Sequence, residues 1–130
     1  MKMARSVYDT RFFVEHYYSG DADVLRKTRE ELRKTRERFV SAVVVHEVYR
    51  LTLEWEGRET AVLRTSLLVK DFKVVVVDAE IARSSAELRH KHKVSLADSV
   101  IAATSLLLGA VCVSDDPHLR AMKEIRTRWI

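Results

Sequence analysis

The chain has little of several residue types on which common functions depend. Its 130 residues contain one cysteine, Cys112, so no disulfide can close within the chain, and cysteine-based structural zinc ligation is disfavoured. That cysteine lies in an apolar run, residues 110–113, where a thiol is poorly placed to act as a nucleophile. The three glycines form neither a G-x-G-x-x-G nor a Walker-type loop, which disfavours a nucleotide cofactor. A single proline and a hydrophobic fraction of 47% argue against disorder. The longest apolar segment, residues 95–113, carries Asp98 and is broken by Gly109, so it does not read as a membrane span. The opening MKMARSVYDTRFF has no apolar signal core. We therefore expect one domain over residues 1–130, in a reducing and cytoplasmic setting, with no membrane partner. The formal charge of +4 leans only mildly towards nucleic acid or an acidic protein.

What is present alternates between strand and helix signals. Residues 6–9 read as a short strand ending in Asp9, and a helix follows from Thr10 to Tyr18. Residues 22–38 read as a charged surface helix with a thin apolar line of Leu25 and Leu32, containing the tandem heptad LRKTREE–LRKTRER. A second strand is expected at 39–43. The helix after it, 44–56, has the apolar stripe Val44, Val48, Leu51 and Trp55, with Glu47 on the same stripe. Gly57 separates it from a helix at 59–71. Four consecutive valines make 73–77 the clearest strand pattern, followed by Asp78 and a helix at 79–92. Residues 94–118 organise the rest: Ser95 as N-cap, a helix apolar on most sides, Gly109 as stop, a buried strand at 110–113, then Asp115-Asp116-Pro117. A last strand is expected at 127–130. This alternation, with several apolar strands, predicts an α/β fold with a parallel sheet covered on both faces.

Four acids mark positions where such a sheet binds ligands. Asp9 follows strand one, Glu47 sits on the helix after strand two, Asp98 opens the helix leading to strand four, and Asp116 follows strand four. Carboxylates gathered in one pocket stay ionised together only if hard cations balance them, which points to Mg2+ or Mn2+ and to phosphodiester hydrolysis. Each acid also has a structural reading. Asp98 can complete a capping box, Asp116 and Asp9 can be N-caps, and Glu47 can be a paired acid on a helix face. Asp78 reads as an ordinary N-cap. The histidines form no metal motif: His46-Glu47 lacks the second histidine of HExxH, and His90 and His92 point to different faces of one helix. The basic runs Arg26-Lys27, Arg33-Lys34 and Arg36 through Arg38 could attract RNA phosphate, but the interleaved Glu30, Glu31 and Glu37 favour a solvated helix face.

These residues together resemble the PIN-domain ribonucleases, specifically the short VapC-type toxins, over nearly the whole length. DTRFF at 9–13 resembles the family's opening motif, HEV at 46–48 its second acid, and LADSVIAATSLLLGAVCVSDD at 96–116 its most specific segment. The resemblance implies a three-layer sandwich with strand order 3-2-1-4-5. It assigns catalysis and metal binding to Asp9, Glu47, Asp98 and Asp116, with Thr10 and Ser114 supporting by hydrogen bonds. It also implies Mg2+ or Mn2+, endoribonuclease activity on RNA, a homodimer, and a small antitoxin partner. Asp115 stands beside Asp116 and competes for the last acid position, although the T-x-D register favours Asp116. Arg11 replaces a residue that is commonly small. Two other readings remain open: a PIN-like binding module without activity, and a phosphorelay receiver domain built on Asp78. A receiver needs an acid pair after strand one and a lysine after its last strand, and neither is where it should be.

Overall fold

The computed structural model describes residues 5–130, so the first four residues of the segment inspected for a signal lie outside it. Five strands and seven helices follow one another in these residues. They are β1 (Arg5–Tyr8), α1 (Thr10–Tyr18), α2 (Ala22–Lys34), β2 (Glu37–Ser41), α3 (Ala42–Glu56), α4 (Arg58–Asp71), β3 (Lys73–Val75), α5 (Ala79–His92), α6 (Leu96–Leu108), β4 (Val111–Val113), α7 (Pro117–Arg120) and β5 (Thr127–Arg128). All strand pairings are parallel and the order is β3-β2-β1-β4-β5. The chain builds outward from β1 in one direction through β2 to β3, then crosses back to β4 and β5. The order thus reverses between β1 and β4, and that crevice is where a parallel sheet presents its strand ends to a ligand. This order also removes the receiver alternative, whose sheet runs 2-1-3-4-5.

The centre of the sheet is apolar because both of its faces are covered. Val7, Tyr8, Val40, Cys112 and Val113 are fully buried. Tyr8, Phe12, Phe13 and Phe72 pack as one aromatic cluster, with ring centroids 4.8 to 5.4 Å apart for the closest pairs. Burial pushes the Cys112 thiol up to about 12, which keeps it inert. Helix α6 is buried from Ser99 to Ser105 and packs on β1, β2 and β4. Its hydroxyls survive burial by bonding back to the helix: Ser99, Thr104 and Ser105 donate to the carbonyls of Leu96, Val100 and Ile101 at 2.7 to 3.0 Å. Gly109 then ends the helix in the left-handed region, at φ 62°. No helix among the described residues is long and apolar enough to cross a membrane.

Several boundaries differ from the sequence reading. Helix α2 ends at Lys34 rather than 38, because the Thr35 hydroxyl bonds the Glu31 carbonyl at 2.8 Å and the chain then turns to pair Glu37 with Arg5. Strand β2 is therefore 37–41, and α3 starts at Ala42 with Ser41 as its cap. The strand expected at 73–77 is shorter, Lys73–Val75, and holds only two of the four valines. β3 is an edge strand paired on one side, and Val76 is 67% exposed. Trp55 is half-exposed, while Thr52 takes the buried place on α3. On α2 the thin apolar line holds, with Leu25 half-buried and Leu32 packed against the core. The buried residues of that helix are Thr28 and Glu31. Its basic residues pair along the helix, Arg26 and Lys27 with Asp23 and Arg33 with Glu30, as expected of a solvated face. Asp78 caps α5 by accepting from the Ile81 amide at 2.9 Å.

Candidate active site

The ends of β1 and β4 bring the first and last motifs together. Tyr8 pairs with Val113, and the ladder continues as the Asp9 amide donates to the Val113 carbonyl at 3.2 Å. Asp9 and Ser114 are thus neighbours across the switch point, and the Ser114 hydroxyl donates to Asp9 Oδ2 at 2.5 Å. Asp9 occupies the N-cap position of α1, yet its carboxylate makes no cap bond to that helix. The N-cap bond of the structural reading is thus not formed, and Ser114 is the side chain that bonds the Asp9 carboxylate. The Ser114 hydroxyl also accepts from the Asp116 amide at 3.0 Å, fixing the turn that aims Asp116.

Glu47 reaches the site from α3. It is half-buried, and the Thr10 hydroxyl donates to its Oε1 at 2.5 Å. Asp98 sits in the first turn of α6, where the Ser95 hydroxyl accepts from its amide at 3.1 Å. Only that half of the capping box is formed among the described residues. The Asp98 carboxylate is left to face Asp116. Asp116 does serve as the cap of α7, its Oδ1 accepting from the His118 amide at 2.8 Å. Capping does not remove it from the cluster.

Ligand atoms of Asp98, Asp116 and His118 all lie within 4.8 Å of one another. Asp9 and Glu47 do not share that tight group. They join it through charge. Burial, and then the neighbouring charges of Asp98 and Asp116, push the Asp9 carboxyl up to about 6 against the bond from Ser114. Asp98 is likewise raised by burial and by Asp116 and Glu47. No lysine or arginine among the described residues forms an ion pair with Asp9, Glu47, Asp98 or Asp116. The donor set, carboxylate oxygens in excess with no paired lysine or arginine among the described residues, suits a divalent ion such as Mg2+ or Mn2+.

The adjacent acid behaves differently. Arg11 Nε and Nη2 bond both oxygens of Asp115 at 3.0 and 3.2 Å. The hydrogen bond from Arg11 holds the Asp115 carboxyl below its usual range. The fork geometry gives Arg11 a purpose that the sequence did not reveal, and it separates Asp115 from Asp116 in role. Two residues escaped the sequence reading. His118 had no assigned place, because its nearness to Asp98 depends on how α6 and α7 meet. Glu31 was read as one of many helix-surface acids. It is 2% exposed and is held by Tyr8, Thr35 and Arg128.

The PIN domain family model matches residues 6–125. No curated protein matches the sequence. Among solved structures, the chain is similar to DNA-bound VapBC from Salmonella typhimurium, at 14% identity and a TM-score of 0.79, with 98% of each chain covered. It is similar to VapC20 from Mycobacterium tuberculosis, described as a sarcin–ricin loop cleaving toxin, at 22% identity and a TM-score of 0.75, covering 93% of this chain and 98% of that one. FitAcB from Neisseria gonorrhoeae matches at 20% identity and a TM-score of 0.73, covering 94% and 95%. At such identities the likeness is one of fold.

Proposed function

The chain belongs to the PIN-domain family, and from that membership we propose that it is a metal-dependent endoribonuclease, the toxin of a toxin–antitoxin pair. The observation that carries the proposal is the crowd of half-buried and buried acids at the β1/β4 switch point, with no lysine or arginine among the described residues paired to it. Asp9, Glu47, Asp98 and Asp116 would hold Mg2+ or Mn2+. Such an ion lowers the pKa of a bound water and stabilises the leaving oxygen of a phosphodiester. The chain's other residues prepare the acids. Ser114 orients Asp9, Thr10 orients Glu47, and Arg11 neutralises Asp115 so that it adds no further repulsion. A net positive chain favours approach of a polyanion outside the acidic crevice. The structural likeness to toxin–antitoxin proteins supports a small antitoxin as partner, and we include in the proposal a homodimer acting in the cytoplasm.

The test is cleavage of end-labelled RNA by the purified chain with Mg2+, with Mn2+, and with chelator. Asp98→Asn is expected to lower cleavage by more than about a hundredfold, beyond the loss typical of outer-sphere changes at metal sites. It should leave the fold intact and the metal-free protein no less stable, since it removes a repelling charge. RNA binding without cleavage under every metal condition would make the chain a binding module. Full activity of Asp98→Asn would remove that acid from the mechanism.

A further inference from the structure

We propose that His118 is a ligand of the metal site and biases it towards Mn2+ over Mg2+. The proposal rests on the reading of the carboxylate cluster as a divalent site and adds one nitrogen to an otherwise all-oxygen set. Three observations carry it. His118 Nδ1 lies 3.4 Å from Asp116 Oδ1. One ring nitrogen of His118 and one oxygen each from Asp98 and Asp116 fall within 4.8 Å of one another, the span of donors around a single ion. The approach is also built in. The same Asp116 carboxylate that faces Asp98 accepts the His118 amide at 2.8 Å, and Pro117 fixes the first helical position between them. Backbone and side chain of His118 are thus tied to one acid of the pair. The imidazole is otherwise free. It is 68% exposed, packs in no aromatic pair, and has no polar partner besides Asp116 among the described residues.

The chemistry of the donors gives the direction of the bias. Mg2+ takes oxygen ligands in strict octahedral geometry and gives up its waters reluctantly. Imidazole suits transition ions, and affinity rises along that series from Mn2+ onward. A histidine that replaces one water on the ion therefore helps Mn2+ and does little for Mg2+. Because the α7 cap uses only the backbone amide of residue 118, His118→Gln keeps the turn and removes the imidazole.

The experiment is pulsed electron paramagnetic resonance on the Mn2+-loaded protein, with Mn2+ and Mg2+ affinities measured by calorimetry. The expected spectrum carries an imidazole 14N coupling that disappears in His118→Gln. In that variant the Mn2+ dissociation constant should rise by about tenfold, while that for Mg2+ changes by less than about twofold. Asp98→Asn serves as the control and should abolish binding of both ions. Loss of binding in Asp98→Asn without a histidine signal in the native protein would overturn the role of His118 and leave the carboxylate site standing. Binding that survives Asp98→Asn unchanged would place the ion elsewhere and overturn both readings. An equal loss for the two metals in His118→Gln would overturn the selectivity.

Discussion

Two carboxylates are sunk in this protein to nearly the same depth, Asp9 at 3% exposure and Glu31 at 2%, and their surroundings are opposite. Glu31 is met from inside the fold. The Tyr8 hydroxyl donates to Oε2 at 2.8 Å, the Thr35 hydroxyl at 2.7 Å, and Arg128 bonds Oε1 while also donating to the Ser6 hydroxyl at 2.9 Å. Burial alone would raise its pKa, but those bonds and the Arg128 charge together hold it below the usual range. Asp9 has one hydroxyl, Ser114, and two like charges nearby, and it rises to about 6. A buried acid with its own cation is a piece of architecture: Glu31 ties α2 to β1 and to the edge strand β5. A buried acid without one stores repulsion that an outside cation can relieve.

Breaking the internal pair gives the largest effect. Glu31→Ala strands the Arg128 guanidinium, and Arg128→Ala strands the carboxylate. Loss of one partner from a buried pair costs about 3–5 kcal/mol, so both variants should unfold at much lower urea, or fail to accumulate folded. A loss below about 1 kcal/mol in both, the range of surface pairs, would show that the network is not structural.

Removing the charge at the other acid should have the reverse sign. A carboxyl moved from 3.8 to about 6 stores roughly 3 kcal/mol at neutral pH. Asp9→Asn keeps an oxygen to accept from Ser114. It is expected to raise the stability of the metal-free protein at pH 7.5 by up to that amount, and to abolish stabilisation by Mg2+. Thermal melts with and without the ion measure both effects, and a destabilised, still Mg2+-responsive Asp9→Asn would contradict them.

The same contrast fixes two slopes with pH. Between about 4 and 6 the folded chain binds a proton at Asp9 that the unfolded chain has released, so stability from this group falls as pH rises through that window. Glu31 has the opposite sign: its contribution is present above the ordinary glutamate pKa and is lost as pH falls below it. Chelated native protein should therefore show an excess loss on the alkaline side of pH 4 that Asp9→Asn lacks. Urea midpoints across pH 3.5–7.5 test it, and identical profiles for the two proteins would refute it.

The smallest change concerns the partly exposed Arg11–Asp115 pair. Arg11→Ala should cost under about 1 kcal/mol. By freeing a negative charge beside Asp116, it should tighten Mg2+ slightly in calorimetry. A weakened Mg2+ site would mean that Arg11 supports the metal ligands directly.

Much of this was legible along the chain. Asp9, Glu47, Asp98 and Asp116 stood out because each is an acid where local pattern expects an apolar residue or a strand end, and hydrophobic periodicity is a local signal. The glycine stop at Gly109 and the caps at Ser95 and Asp78 were legible for the same reason. The valine run overstated the length of its strand, because four valines in a row do not show how far the neighbouring strand extends to pair with them. Only pairing sets that limit, and Val76 is exposed. Glu31 was hidden among the glutamates of a charged helix, since its partner Arg128 is 97 residues away.

The linear pattern determined that this chain is a parallel α/β protein and which carboxylates are out of place in it, since periodicity, caps and strand-end acids are properties of neighbours. Tertiary structure decided which of those acids acquire a cation. Arg128 is delivered to Glu31 by the β4–β5 edge, and Arg11 to Asp115 across 104 residues. Among the described residues, no lysine or arginine is brought into ion-pair contact with the acids at the switch point. Charge compensation depends on distance in space, and only the folded sheet sets that distance.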